Sequence, residues 1–184
     1  MVEYGQDVLI YKCLLDEKTY QYLDDFDSGK PDIDEYFKKK ALNDSGSVTY
    51  MYVDMDTNRV IALAAVACAS ISVFNNNDEL SENIPAIEIK YFALNEKQHH
   101  IPYMPSSRTK LSHCALCYLI EHLKKISTES VGAVKIVLQA MPDAVGFYSK
   151  CKFKKMTPFV SDNTVGEDDG CIPMFYDLKE LIED

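Results

Sequence analysis

The sequence predicts an α+β domain, a mixed and twisted β-sheet flanked by helices, in the order β-α-α-β-β-β-α-β-α-β-β. Three observations carry that prediction. Residues 48–54 alternate in hydropathy, and the turn residues Asp56-Thr57-Asn58 lead into a long apolar run at 60–74, the pattern of an antiparallel hairpin. Residues 106–127 carry the apolar spacing of a long amphipathic helix. A β-branched run at 134–140, closed by Pro142-Asp143, precedes a short helical stretch at 144–150.

The elements follow in order. Val8-Leu9-Ile10-Tyr11 is a first strand. Residues 16–26 are mixed in pattern and suit a short helix. Phe26-Asp27-Ser28-Gly29-Lys30-Pro31 is a loop by its turn residues. Asp32 with Glu35 reads as a capping pair, after which Ile33, Tyr36, Phe37 and Ala41 fall on one helical face. That helix ends near Asn43-Asp44-Ser45-Gly46, with Lys38-Lys39-Lys40 placed where cations complement the helix dipole. In the strand 48–54, Tyr50, Tyr52 and Asp54 lie opposite Thr49, Met51 and Val53. Residues 75–83 are polar and read as an exposed loop. Residues 86–94 form the next strand, in which Glu88 and Lys90 alternate with apolar neighbours. Residues 95–105 are irregular and contain His99, His100, Pro102 and Pro105. Ser106 or Ser107 then caps the long helix. Its core face is Leu111, Ala115, Leu116, Leu119, Ile120 and Leu123, and Lys110, Glu121, Lys124 and Lys125 face water. Two strands, near 155–160 and 172–177, complete the chain.

A chain of 184 residues supports one domain, 1–184, with a full core, and no Pro/Gly/Ser-rich linker divides it. Apolar residues at 47% and charged residues at 26% are ordinary for a soluble globular protein. The net charge of −10 repels phosphate backbones, so nucleic acid is an unfavourable partner. It suits a cationic acceptor: a lysine side chain, a free amine or a basic protein. The six cysteines have no disulfide-framework spacing, and no basic-plus-apolar leader is seen. A reducing, cytoplasmic location with free thiols is therefore expected. No metal site is expected either. Cys114 and Cys117, beside His113, form a lone Cys-x-x-Cys with no second pair, inside an apolar helix. The run 60–74, bounded by Arg59 and Asn75-Asn76-Asn77, is too short to span a bilayer as a helix, so no membrane partner is expected.

The segment Ala144-Val145-Gly146-Phe147-Tyr148-Ser149-Lys150-Cys151-Lys152-Phe153, following a strand, resembles the C-terminal half of the GNAT N-acetyltransferase fold, where a helix reads roughly A-x-x-F-Y-x-x-x-G-F. Phe26-Asp27-Ser28-Gly29, followed by Ile33-Asp34-Glu35-Tyr36-Phe37 and Ala41, is similar to the F-x-x-G…L-D-x-x-L…A opening of a GNAT subgroup. That subgroup includes acetyltransferase toxins that act on aminoacyl-tRNA. With the element order, the resemblance covers nearly the whole chain. It implies direct transfer from acetyl-CoA to a primary amine, with Tyr148 as general acid toward the leaving thiolate. It also implies Glu88 as a relay for the amine's proton and backbone pairing of Phe92, Ala93 and Leu94 with the pantetheine arm. His99 and His100 read as a base or as exposed loop residues. Dimers are common in this fold, which leaves a homodimer open.

Two departures from the pattern stand out. Lys152 replaces the Gly before Phe153, and no Gly occurs between Gly46 and Gly132. The family's pyrophosphate loop, Q/R-x-x-G-x-G/A, is thus absent. Its equivalent, Met104-Pro105-Ser106-Ser107-Arg108-Thr109-Lys110-Leu111, keeps a helix N-terminus, two cations and three hydroxyls. Two expectations follow. Either Ser106, Ser107, Arg108, Thr109 and Lys110 form a modified cofactor loop, or cofactor binding is lost and the fold serves as a non-catalytic, protein-binding module.

Overall fold

The computed structural model describes residues 9–75, 77, 79–98, 100–104, 109–156, 160–162 and 170–179. Its strands are β1 (Ile10–Leu14), β2 (Val48–Asp54), β3 (Val60–Phe74), β4 (Leu80–Leu94), β5 (Lys135–Ala140), β6 (Lys154–Lys155), β7 (Val160–Asp162) and β8 (Ile172–Asp177). Its α-helices are α1 (Pro31–Glu35), α2 (Leu111–Ile126) and α3 (Val145–Lys150). The strands are ordered β1-β2-β3-β4-β5-β8-β6, with β7 paired to β3. The pairing of β4 with β5 is parallel, and β1–β2, β2–β3 and β5–β8 are antiparallel. The sheet is therefore mixed, as the α+β reading requires. Among the described residues no helix is long and apolar enough to cross a membrane. The chain divides into two compact units, Met1–Val66 with Tyr91–Leu119, and Ala67–Lys90 with Ile120–Asp184.

In the first unit the hairpin forms as the alternation predicts, with Tyr50 opposite Ala64 and Tyr52 opposite Ala62. A bulge follows, because Val53 pairs with Val60 and leaves Ile61 extra. Buried Asn95 holds that bulge. Its backbone N–H donates to the Ile61 carbonyl at 2.9 Å, and its Nδ2 donates to the Val60 carbonyl at 3.2 Å. Truncating Asn95 to Ala strands a buried carbonyl, which costs about 1–3 kcal/mol. Urea unfolding of N95A checks this, and an unchanged midpoint would contradict it.

The helical face falls as expected. Tyr36, Phe37 and Ala41 are buried with Phe26, Met51, Val53 and Leu63, and Ile33 packs against them. The capping pair does not form. Lys30 is the N-cap, Pro31 takes the first helical position, and no side chain caps the helix. Asp34, not Asp32, secures this turn, accepting the Ser28 N–H at 2.9 Å. The helix continues past α1 through wider and tighter turns to Asn43, near the expected end. Residues 16–26 give only a short 3-10 turn, Tyr20–Leu23. Gly29 has φ +72°, and a Cβ there would lie 3.3 Å from the Glu96 carboxyl carbon. The F-x-x-G opening is thus explained: Phe26 fills the core, and the turn after it needs a glycine.

In the second unit Ile71, Ala86 and Val137 form a small core, with Ala69, Ile84, Met156 and Phe175 packed on it. Residues 80–83 belong to β4 rather than to the expected loop. The polar side chains there are exposed, and Asn83 accepts the Ser72 hydroxyl at 2.9 Å, so partner pairing overrides local polarity. Lys135 pairs with Asp177 across β5 and β8. Along α2, Leu111, Ala115, Leu116 and Leu119 of the first unit and Ile120 and Leu123 of the second are all buried, the face the spacing predicts.

Candidate active site

Tyr148 lies in α3, a helix of one and a half turns, and is 9% exposed. Aromatic contacts fix its ring. Phe147 stands edge-on at 5.3 Å, Phe153 edge-on at 5.6 Å, and Phe153 in turn packs on Tyr176 at 5.5 Å. Burial pushes the phenol pKa well above its ordinary value, with Cys151 adding to the shift. Tyr148 therefore keeps its proton across the usual pH range.

The turn after α3 is a Schellman closure. The Phe153 N–H donates to the Tyr148 carbonyl at 3.1 Å, and the Lys152 N–H donates to the Ser149 carbonyl at 3.1 Å. The motif places Lys152 in the left-handed region, at φ +69°. The pattern's glycine thus has a physical cause, and this chain bears the strain of a side chain instead. Substituting Lys152→Gly relieves that strain and loosens the unfolded chain, a net gain of about 0.5–1 kcal/mol. A higher thermal midpoint for K152G is the expected result, and a lower one would contradict the strain.

Glu88 sits on β4 in register with Val137 of β5 and is half-buried, while Ile87 and Ile89 beside it are buried. The β4–β5 pairing covers Ala86 to Ile89, opposite Lys135 to Leu138. It stops there, although β4 runs on to Leu94 and β5 to Ala140. Phe92, Ala93 and Leu94 therefore lie beyond the last β4–β5 rung. Ala93 is buried in the core of the first unit.

The glycine-free loop begins α2 later than the sequence suggests, at Leu111 rather than after Ser106 or Ser107. Among the described residues before it, 101–103 pair with 109–111. Tyr103 N–H donates to the Thr109 carbonyl at 2.9 Å, Leu111 N–H donates to the Ile101 carbonyl at 2.9 Å, and Pro102 bridges Lys110. The Lys110 carbonyl also receives the His113 and Cys114 N–H groups. Tyr103 and Tyr118 bring their hydroxyls to 3.3 Å, joining the loop to the helix. The first amide of α2 is thus engaged, and Leu111 is 1% exposed. Among the described residues, the Leu111 amide is therefore not open to an incoming pyrophosphate. Thr109 and Lys110 are exposed at the helix start. Ser106, Ser107 and Arg108 lie outside the described residues, as do His99 and Pro105.

Cys114 and Cys117 carry free thiols in α2. Burial pushes the Cys114 thiol pKa up, with Cys117 adding to it. Of these features, the bulge clamp at Asn95 and the Tyr103–Tyr118 pair had no signal in the sequence. The left-handed turn had one, in the departure at Lys152.

The fold is that of the GNAT-type toxin acetyltransferases. A solved bacterial toxin matches with a TM-score of 0.65 at 17% identity, covering 93% of this chain and 92% of that one. The AtaTR structure bound with acetyl-CoA matches with a TM-score of 0.65 at 16% identity, covering 95% and 96%. AtaT complexed with acetyl-methionyl-tRNAfMet matches with a TM-score of 0.68 at 13% identity, covering 93% and 96%. No protein-family model and no curated protein matches the chain by sequence.

Proposed function

We propose that the chain is an acetyl-CoA-dependent N-acetyltransferase that transfers directly to a primary amine. The observation that carries this reading is the buried, proton-retaining Tyr148, locked by its aromatic neighbours and the closed turn after it. The likeness in fold to a protein solved with acetyl-CoA supports it.

Acetyl-CoA supplies the activated acetyl thioester. The chain supplies the rest. Tyr148 holds a proton at its phenol oxygen for a leaving sulfur. Surroundings dry enough to raise the phenol pKa also raise that of a nascent thiolate, which keeps donation favourable. Glu88 takes the acceptor's proton through water. The backbone of Phe92, Ala93 and Leu94 offers rungs for an extended amide arm, and the end of the β4–β5 pairing before them supports that role. Thr109 and Lys110, with Ser106, Ser107 and Arg108, hold the pyrophosphate through hydroxyls and cations instead of amides.

The net charge of −10 favours a cationic acceptor: a protein lysine, an N-terminus or a small amine. The AtaT complex with acetyl-methionyl-tRNAfMet makes aminoacyl-tRNA the acceptor class to test against these. A cytoplasmic location suits the free thiols. The test is thiol release from acetyl-CoA with a panel of lysine peptides, small amines and aminoacyl-tRNA. Turnover with a member of the amine set is expected. Release with tRNA alone would overturn the acceptor class, and no release with any would overturn the enzyme reading.

One observation favours a second reading, a non-catalytic GNAT-fold module that binds a protein. The Leu111 amide is already donated within its own loop. That reading predicts no acetyl-CoA binding at all.

A further inference from the structure

Tyr148 ends a series of side-chain contacts that runs within the second unit. Its ring meets Phe153 at 5.6 Å, and Phe153 meets Tyr176 at 5.5 Å. The Lys124 ammonium lies over the Tyr176 ring, 5.7 Å from its centre. Glu121, three residues earlier on α2, accepts a hydrogen bond from Lys124 at 2.8 Å.

Each link has a local cause. Strands β6 and β8 pair Lys154 with Phe175 and Lys155 with Met174. One rung further, that register sets Phe153 across from Tyr176 as a cross-strand aromatic pair. The Phe153 N–H, donated to the Tyr148 carbonyl at 3.1 Å, fixes Phe153 against α3. On α2 the i, i+3 spacing brings Glu121 to Lys124. That hydrogen bond pushes the Lys124 pKa up, so the cation persists over the ring. Phe153 is buried in the core, whereas Tyr176 and Lys124 are only half-buried. Their contacts do less to fill the interior than to hold Phe153 from its outer side.

We infer that Tyr176 and Lys124 are positioning residues, which hold Phe153 and through it the Tyr148 ring in one orientation. The consequence for proton donation rests on the acetyltransferase reading; the orientation itself does not. A reacting group misplaced by about 1 Å loses up to about a hundredfold in rate, so the hold on this ring bears on turnover.

The test has two readouts. The first is NMR of ring-labelled tyrosines in the full-length protein without acetyl-CoA, with the Tyr148 signals assigned by their loss in Y148F. Tyr148 ring flips should be about tenfold faster in Tyr176→Leu, which cuts the series, and within about twofold of wild type in Tyr176→Phe, which keeps the ring. Lys124→Met should speed the flips about two- to fivefold, the equivalent of one cation–π contact, and Lys124→Arg should restore the wild-type rate. The second readout is steady-state kinetics. The kcat should fall about tenfold or more in Tyr176→Leu, with the KM for acetyl-CoA within about twofold. Should Tyr176→Leu not fold, the two Lys124 variants carry both readouts. Wild-type flip rates in Tyr176→Leu and Lys124→Met would overturn the inference, and faster flips with an unchanged kcat would overturn the role in proton donation. A wild-type protein inactive with every acceptor would overturn the acetyltransferase reading instead, and the flip rates would still decide the positioning.

Discussion

Tyr148→Phe should lower turnover by about 10²- to 10⁴-fold, the span that a positioned proton donor contributes. Acetyl-CoA affinity should stay within about twofold, because only a hydroxyl is lost and the ring contacts with Phe147 and Phe153 remain. The thermal midpoint should hold for the same reason. The pH profile separates this role from a packing role. An ordinary phenol loses its proton near about 10, whereas burial keeps the Tyr148 proton on beyond that point. Wild-type turnover should therefore show no alkaline fall from Tyr148 through the range where an exposed tyrosine would ionise. Steady-state kinetics of both proteins across pH make the check. Unchanged turnover in Y148F would show that Tyr148 packs and does not donate.

The largest expected loss of stability is at Phe37. It is 0% exposed, with Phe26 at 6.4 Å, Tyr36 at 5.2 Å and Tyr91 at 6.2 Å around its ring. Phe37→Ala empties the centre of the first unit's core and should cost about 3–5 kcal/mol. Phe37→Leu keeps most of the volume and should cost roughly 1.5 kcal/mol or less. Urea titrations followed by circular dichroism and by tyrosine fluorescence measure both. A loss in F37A no greater than in F37L would mean the helix after Pro31 is not anchored through this ring.

The elements legible in the sequence are those whose signal is local. The hairpin at 48–74 and the buried face of α2 both follow from hydropathy period alone. Signals that depend on a partner were not legible. Residues 80–83 look like a loop, yet they extend β4. Asp32 and Glu35 have cap spacing, but Pro31 occupies the first helical position and Asp34 takes the turn. The start of α2 moves to Leu111 because Thr109 and Lys110 pair backward onto Pro102 and Tyr103.

The candidate site divides in the same way. The Phe-Tyr pair singles out Tyr148 as a candidate, and the cause of the pattern's glycine, two residues beyond the end of α3, becomes visible only in the φ of Lys152. Glu88 is legible as a polar residue in an apolar strand. That the β4–β5 pairing ends one residue later is a property of two strands and is written in neither.

The central claim is that a loop without glycines still holds acetyl-CoA, and calorimetric titration of the purified protein tests it most directly. The account predicts saturable one-site binding, weakened by Lys110→Ala and indifferent to Tyr148→Phe. No heat at millimolar acetyl-CoA, at two temperatures chosen to avoid a vanishing enthalpy, would contradict it and leave a GNAT fold that binds a partner without the cofactor.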